Sequence, residues 1–345
     1  MYQLEVSSTF QLDDLAPVER SSPKHPGAGQ VLVRIRAVSL NYRDLLVATG
    51  YDRWRPPVGR ILGSDGVGTV VVAGDGVTRF KAGDRVLTTI LPNWVSGPLT
   101  HDKRSGGLGG PAADGVLAEY VLLDAEGLVQ APDYLTDVEA STLPAAALTA
   151  WHVITRANAL RRDARILVEG TGGVSLFALQ IAVAAGATVI ATSSSEEKLE
   201  RLRSLGAAAT VNYRTHSHWG QEVLRLTNDS GVDLAIDIGG ASTLNESIIA
   251  TGMNGVVGIV GLVGGLNANI NLAEVFQKNL RLEGIETGSR TLLQDMIAWF
   301  ETKRLMPLVD CVYPFDDSRS AFKHLQDGRH MGKVCIAFPG FEVSP

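Results

Sequence analysis

Cysteine is scarce in this 345-residue chain, which holds only Cys311 and Cys335. Two cysteines exclude a disulfide scaffold and a cysteine-rich zinc lobe, and they fit a reducing compartment. A surplus of basic residues is also missing: 31 Lys and Arg against 37 Asp and Glu leave a net charge of −6. That balance argues against a general binder of nucleic acid or anionic membranes. The first residues carry neither a basic segment nor an apolar run, so no secretory signal and a cytoplasmic location are expected. One charge-free stretch, 170–195, is 26 residues long, but Gly170, Gly172, Gly173 and Gly186 divide it. It reads as strand, turn, helix and strand rather than as a membrane span. Several catalytic signatures are absent: His-Glu-x-x-His, Cys-x-x-Cys, Gly-x-Ser-x-Gly and Tyr-x-x-x-Lys do not occur. His216 and His218 lie in a polar loop, where solvation is the simpler reading than metal binding.

Glycine, in contrast, is abundant, at 37 residues without a Gly-X-Y period. Turns and close backbone approaches are the expected use. The first 125 residues read as β-rich, with strand-like alternation at 31–38 and further strands at 67–73 and 85–90. A Gly/Pro/Ser-rich segment, 92–115, contains Trp94 and His101 and reads as a long loop, functional or mobile. Near residue 140 the rhythm changes. A helix is expected over 139–157. Strands follow at 165–169, 188–192, 209–213, 233–238, 256–261 and 281–286, with helices at 175–185, 196–205, 219–227, 243–250 and 272–278 between them. Such alternation implies a parallel sheet covered on both faces, and six strands fit a doubly wound dinucleotide-binding domain. Ser194 with Glu197 could form a capping box, and Gly206 could end that helix. The remaining chain predicts helix 291–303, strand 309–313, helix 318–327 and strand 333–338.

The strongest chemical signal is the run Gly170-Thr171-Gly172-Gly173-Val174-Ser175, which follows a predicted strand and opens a predicted helix. Gly170 permits the tight turn, and Gly172 lets backbone approach a pyrophosphate seated at a helix N-terminus. Ser175 stands at the third small position of the fingerprint. NAD sites usually carry Asp or Glu at the end of the following strand, to accept from the ribose 2′-OH. Here that strand ends in Ser193-Ser194-Ser195, with Lys198, Tyr213 and Arg214 following. Small hydroxyls and these residues could bind a 2′-phosphate instead, so NADP is favoured over NAD; the serines could equally be a helix cap. Gly239, Gly261 and Leu262 end the fourth and fifth strands, where backbone should pass the ribose and nicotinamide.

The order of these features resembles the medium-chain dehydrogenase/reductase superfamily over nearly the whole chain. The matching pieces are Ser39-Leu40-Asn41-Tyr42-Arg43-Asp44, Gly63-Ser64-Asp65-Gly66-Val67-Gly68, Phe80-Lys81-Ala82-Gly83-Asp84-Arg85-Val86, Gly115-Val116-Leu117-Ala118-Glu119-Tyr120, the run 143–151, the glycine fingerprint and Gly332-Lys333-Val334. The resemblance implies an α/β fold: a Rossmann doubly wound six-stranded parallel sheet over 129–289, plus a β-rich GroES-like catalytic domain from 1–128 and 290–345. Zinc-dependent alcohol dehydrogenases use a Cys in the first segment and Gly-His-Glu in the second. Asn41 and Gly63-Ser64-Asp65 stand there instead, and only alanines surround Ala145. The chain therefore looks like the zinc-independent, quinone-oxidoreductase-like branch, with no zinc or other metal expected.

That branch implies NADPH-dependent hydride transfer to a quinone or an α,β-unsaturated carbonyl. Conjugation spreads the negative charge, which reduces the need for a Lewis acid. Asn41 is the first candidate to contact substrate or nicotinamide, and Thr149 should lie near the nicotinamide. Tyr42 and Tyr51 are candidates for pocket lining or proton donation, although simple packing of their rings is the stronger account. Asp44 could orient Asn41 or serve as a helix-start acid. Trp54 and Trp94 could line an aromatic slot or belong to the core. Arg329 is a weaker cofactor candidate. Two other readings stay open: a zinc-free NADP-dependent alcohol dehydrogenase or carbonyl reductase, and a non-catalytic NADPH-binding protein. The expected partners are a small-molecule substrate and a second copy of the chain, in a homodimer using the region 255–272 as an edge strand.

Overall fold

The computed structural model describes residues 1–339, so the last six residues of the expected segment 290–345 lie outside the described residues. The chain divides into two compact units: Met1–Leu148 with the described residues from Gly288 onward, and Thr149–Thr287. In the first unit, β1 (Tyr2–Leu4) pairs with β2 (Pro17–Glu19). The main sheet combines β3 (Gln30–Ser39), β4 (Asp65–Ala73), β5 (Arg85–Thr88), β6 (Tyr120–Asp124), β7 (Leu128–Gln130), β14 (Val309–Pro314) and β15 (Lys333–Ala337). Its order is β14-β15-β3-β4-β5-β7, with β6 also paired to β3. Strand β3 shows the period of two that half-buried strands need: Val31, Val33, Ile35 and Ala37 are buried, and Arg34 is exposed. Val31, Val33 and Ile35 join Leu117, Phe322 and Ile336 in one core cluster.

The second unit contains β8 (Arg165–Glu169), β9 (Thr188–Ser193), β10 (Ala209–Asn212), β11 (Val232–Asp237), β12 (Thr251–Ile259) and β13 (Arg281–Gly284). All pairings are parallel, in the order β10-β9-β8-β11-β12-β13. This is the doubly wound order, whose topological switch lies between β8 and β11. Helix Gly173–Ala185 is apolar on nearly every side and sits deep in this unit, ending at Gly186. The 26-residue charge-free stretch is thus β8's exit turn, this helix and β9. No helix among the described residues is long and apolar enough to cross a membrane.

Several expectations need correction. The helix expected over 139–157 is three pieces: Asp137–Ser141, a π-helical turn Leu143–Ala147 and Leu148–Arg156. Residues 129–148, assigned from sequence to the nucleotide half, belong to the first compact unit; helix Asp137–Ser141 packs on β3 and β4. The segment 92–115 is not one open loop. It contains the helical turn His101–Arg104, and Trp94 packs with Ile90, Leu91 and Ala145. Strand β12 starts five residues earlier than expected and lies between β11 and β13, so 255–259 cannot be an edge. Residues 265–271 are irregular, and Asn271 caps helix Leu272–Gln277. Ser195, not Ser194, caps helix Glu196–Ser204, accepting from Lys198 N–H.

Candidate functional site

In the second unit, β8 runs out at Glu169 into Gly170 (φ 74°), Thr171 and Gly172. Helix Gly173–Ala185 then begins with Gly172 as its N-cap and no side chain capping it. Its first N–H groups, from Gly173, Val174 and Ser175, are therefore available to an anion. The Ser175 hydroxyl donates to Glu169 O at 2.6 Å, which closes the turn and explains serine at the third fingerprint position. Gly172 has an ordinary φ of −75°, and a Cβ there would meet no protein atom within 4 Å. The chain does not require glycine at this position. The open space fits a nucleotide pyrophosphate approaching the backbone.

The end of β9 carries no acid. Ser193 is buried, Ser194 and Lys198 are half-buried, and Tyr213 and Arg214 are exposed after β10. The nearby Glu196 is engaged by Asn212 Nδ2 at 2.6 Å. At Gly239 and Gly261 the chain's own packing also requires glycine. A Cβ on Gly261 would lie 2.3 Å from Ile238 O, and one on Gly239 would lie 2.6 Å from Thr243. Leu262, beside Gly261, is exposed. Thr149 is buried in the first turn of helix Leu148–Arg156. His216 meets the Asn212 carbonyl and Thr215, and His218 lies 3.7 Å from Glu246.

Beneath the phosphate turn lies a group that sequence reading missed. Ser247 Oγ meets Glu169 Oε1 in a very short contact and Asp237 Oδ2 at 2.7 Å. Thr243 Oγ1 and Gly240 N–H also donate to Asp237, at 2.9 and 2.7 Å. One serine hydroxyl has a single hydrogen and cannot satisfy two ionised carboxylates, so the pair retains a proton. Burial, then the charge of Asp237, pushes the Glu169 carboxyl up to about 8. Burial also raises Asp237.

The first unit gathers a second set. Asn41 is the N-cap of helix Tyr42–Ala48, and its N–H donates to Asp44 Oδ2 at 2.8 Å. Asp44 thus both orients Asn41 and caps the helix. Lys333, buried at the start of β15, donates to Leu40 O at 2.7 Å and to Asn41 Oδ1 at 2.6 Å. Asn41 Nδ2 reaches Ser64 Oγ at 3.4 Å. Asp65 Oδ2 accepts from Ala145 N–H at 3.1 Å. Burial pushes the Asp65 carboxyl up to about 7, against the pull of Lys333 and the Asn41 amide. Burial likewise raises Asp44 and lowers Lys333. Lys333 is the member of this cluster to which sequence reading assigned no role; its signal was a lysine opening the apolar strand Lys333-Val334-Cys335-Ile336-Ala337.

The remaining candidates are dispersed over the first unit. Tyr42 and Tyr51 are exposed, not packed inside. Trp54 is partly buried against the core, with its ring 6.4 Å from that of Tyr51. Trp94 is only 4% exposed and its indole N–H donates to Gly97 O, so its ring belongs to a buried cluster and not to an open slot. Arg329 is exposed, paired with Asp327 at 2.7 Å, and lines a surface cleft with Tyr313, Lys323 and His324.

A parallel sheet in doubly wound order with an uncapped glycine turn, joined in one chain to a GroES-like sheet unit, defines a two-domain dehydrogenase architecture. Comparison with known proteins agrees. Residues 27–133 match the alcohol dehydrogenase GroES-like domain, and 173–302 match the zinc-binding dehydrogenase domain. A zinc-type alcohol dehydrogenase-like protein of Schizosaccharomyces pombe is 38% identical over 94% of this chain and 95% of its own. An acryloyl-coenzyme A reductase of Sulfurisphaera tokodaii is 28% identical over 92% of this chain and 95% of its own. A solved NAD-dependent alcohol dehydrogenase superposes with a TM-score of 0.88 at 34% identity, covering 98% of this chain and 99% of that one. The chain belongs to the medium-chain dehydrogenase/reductase family, and with it to the NAD(P)-dependent oxidoreductases.

Proposed function

We propose that the protein is an NADPH-dependent reductase of quinones or α,β-unsaturated carbonyls that works without zinc at its reacting centre. The carrying observation is the hydrogen bond from the buried Lys333 Nζ to Oδ1 of the half-buried Asn41. The polar side chains gathered from the family's zinc-ligand segments are an amide, a hydroxyl and two carboxylates, with the Lys333 ammonium among them and neither thiolate nor imidazole. This donor set does not fit a zinc ion, which takes thiolate, imidazole and carboxylate ligands.

The second unit supplies the cofactor site: Gly170, Thr171, Gly172, Gly173 and Val174 for the pyrophosphate, and Ser194, Lys198 and Tyr213 for a 2′-phosphate. The bound nicotinamide supplies the hydride. In the first unit, Lys333 holds and polarises the Asn41 amide, which strengthens its N–H as a donor. That N–H exchanges its long contact with Ser64 for a substrate carbonyl oxygen, where negative charge develops. With a conjugated substrate, Asn41 would meet the charge that reaches the carbonyl oxygen, and a proton from solvent or from exposed Tyr42 or Tyr51 would restore neutrality. The acryloyl-coenzyme A reductase among the relatives supports an activated alkene. We also propose a homodimer.

NADPH oxidation, followed with chelator present against a quinone, an enone and a matched saturated aldehyde, tests this reading. Turnover confined to the conjugated substrates is expected. Turnover of the saturated aldehyde would hand the function to a zinc-free carbonyl reductase, and tight NADPH binding without turnover would make the chain a non-catalytic binder.

A further inference from the structure

Away from the Asn41 cluster, β14 and helix Ser318–Asp327 of the first unit bring three metal-ligating residue types together. Cys311 Sγ lies 3.1 Å from His324 Nδ1, and Asp310 Oδ2 lies 3.4 Å from His324 Nε2. One ligand atom from each of Asp310, Cys311 and His324 falls within 4.8 Å of the other two. Consecutive residues of a regular strand point to opposite faces, yet Asp310 and Cys311 both reach one imidazole. A register shift between Val309 and Cys311 accounts for this. The bulge re-aims a side chain, as bulges beside functional sites do.

We propose that Cys311, His324 and Asp310 form a binding site for a zinc-type divalent cation. A thiolate, a carboxylate and a neutral imidazole carry two negative charges, which balance one divalent ion. Sulfur and nitrogen donors select zinc or cobalt over magnesium and calcium, which need all-oxygen cages. Asp310 Oδ1 is anchored by Met331 N–H at 2.8 Å, which already holds that carboxylate in place. Three protein ligands leave a fourth position. A cleft of about 320 Å³ lined by Tyr313, Ser320, Lys323, His324, Asp327 and Arg329 reaches one of the three ligands, His324. The two cations of that cleft are paired, Lys323 with Asp13 and Arg329 with Asp327, and so oppose a bound ion little.

The same three residues could suggest a nucleophilic thiol relayed through histidine. Burial and the Asp310 charge push the Cys311 thiol up to about 11, however, whereas an activated nucleophile needs a depressed value. A bound cation reverses that balance by taking the thiolate directly.

Cobalt titration of the full chain, after dialysis against chelator, tests the site. The expected result is near-ultraviolet thiolate-to-cobalt charge-transfer absorption saturating at one ion per chain and displaced by zinc. Cys311→Ser should abolish the band, and His324→Gln or Asp310→Asn should weaken binding at least roughly tenfold. A wild-type chain without the band, or a band that survives Cys311→Ser, overturns the proposal. Should Cys311→Ser fail to fold, alkylation of the wild type decides: zinc must protect Cys311 from iodoacetamide, and unchanged labelling would reject the site.

Discussion

Lys333 spends its buried ammonium on a backbone carbonyl and the Asn41 amide, with Asp65 and Asp44 the acidic groups that act on it. Replacing it with methionine keeps the volume but removes the charge that polarises Asn41. Two results follow. The kcat for a conjugated substrate should fall roughly tenfold to a hundredfold, the range for groups that orient a primary contact, with the KM for NADPH nearly unchanged. The Asp65 carboxyl, already at about 7, should also move upward once the ammonium no longer opposes its burial. An inflection near 7 in the pH profile of kcat/KM should therefore shift to higher pH in Lys333→Met. A lowered kcat with an unmoved inflection would make Lys333 a structural residue only.

At the scale of elements, β8, β11 and the helix Leu244–Ala250 hold one buried acid pair under the phosphate turn. The sign of its effect on stability is set by the direction of the shift. Glu169 has an ordinary value of 4.5 and is raised to about 8 in the fold. The folded chain thus keeps a proton that the unfolded chain has released. The associated stability is fully present below about pH 4.5 and is lost progressively as pH rises to about 8. Glu169→Gln removes this titration. Urea unfolding at pH 5, 6.5 and 8.5 should show the variant gaining on the wild type as pH increases. Parallel pH dependences would mean that Glu169 titrates normally. Much of the sheet around this pair was legible in the sequence. Strand β8 and helix Ser318–Asp327 begin and end where patterning predicted, because apolar periodicity and caps act locally. Strand β12 was cut short because Gly252, Gly255 and Asn254 look like a turn, although Thr251 already pairs with Val232 of β11. The glycine turn was readable for the same local reason. Asn41, Asp44 and Asp65 were also readable from their segments, but the junction of Lys333 with them and the Glu169 cluster were not, since each joins residues brought together only by the fold, 292 positions apart for Lys333 and Asn41.

For the whole molecule, the sequence-based expectation placed a dimer contact at 255–272, but β12 is interior and the sheet ends at β13. Among the described residues, strand β13 pairs only with β12 in that sheet, and its other side has no strand beside it. Exposed apolar side chains occur in the same unit: Phe276 is 82% exposed, Met253 70% and Leu272 68%. An open strand edge accompanied by large exposed apolar groups favours self-association. A twofold arrangement would pair β13 with its counterpart and bury these side chains in one self-complementary patch. Sedimentation should then give twice the 36.7 kDa chain mass. Phe276→Asp places a charge in the patch without touching the phosphate turn or the Asn41 cluster, and should shift the mass toward a single chain while leaving NADPH affinity within about twofold, the tolerance of a distant surface change. A wild-type chain that sediments as a monomer would remove the dimer. A dimer indifferent to Phe276→Asp would move the contact to another face.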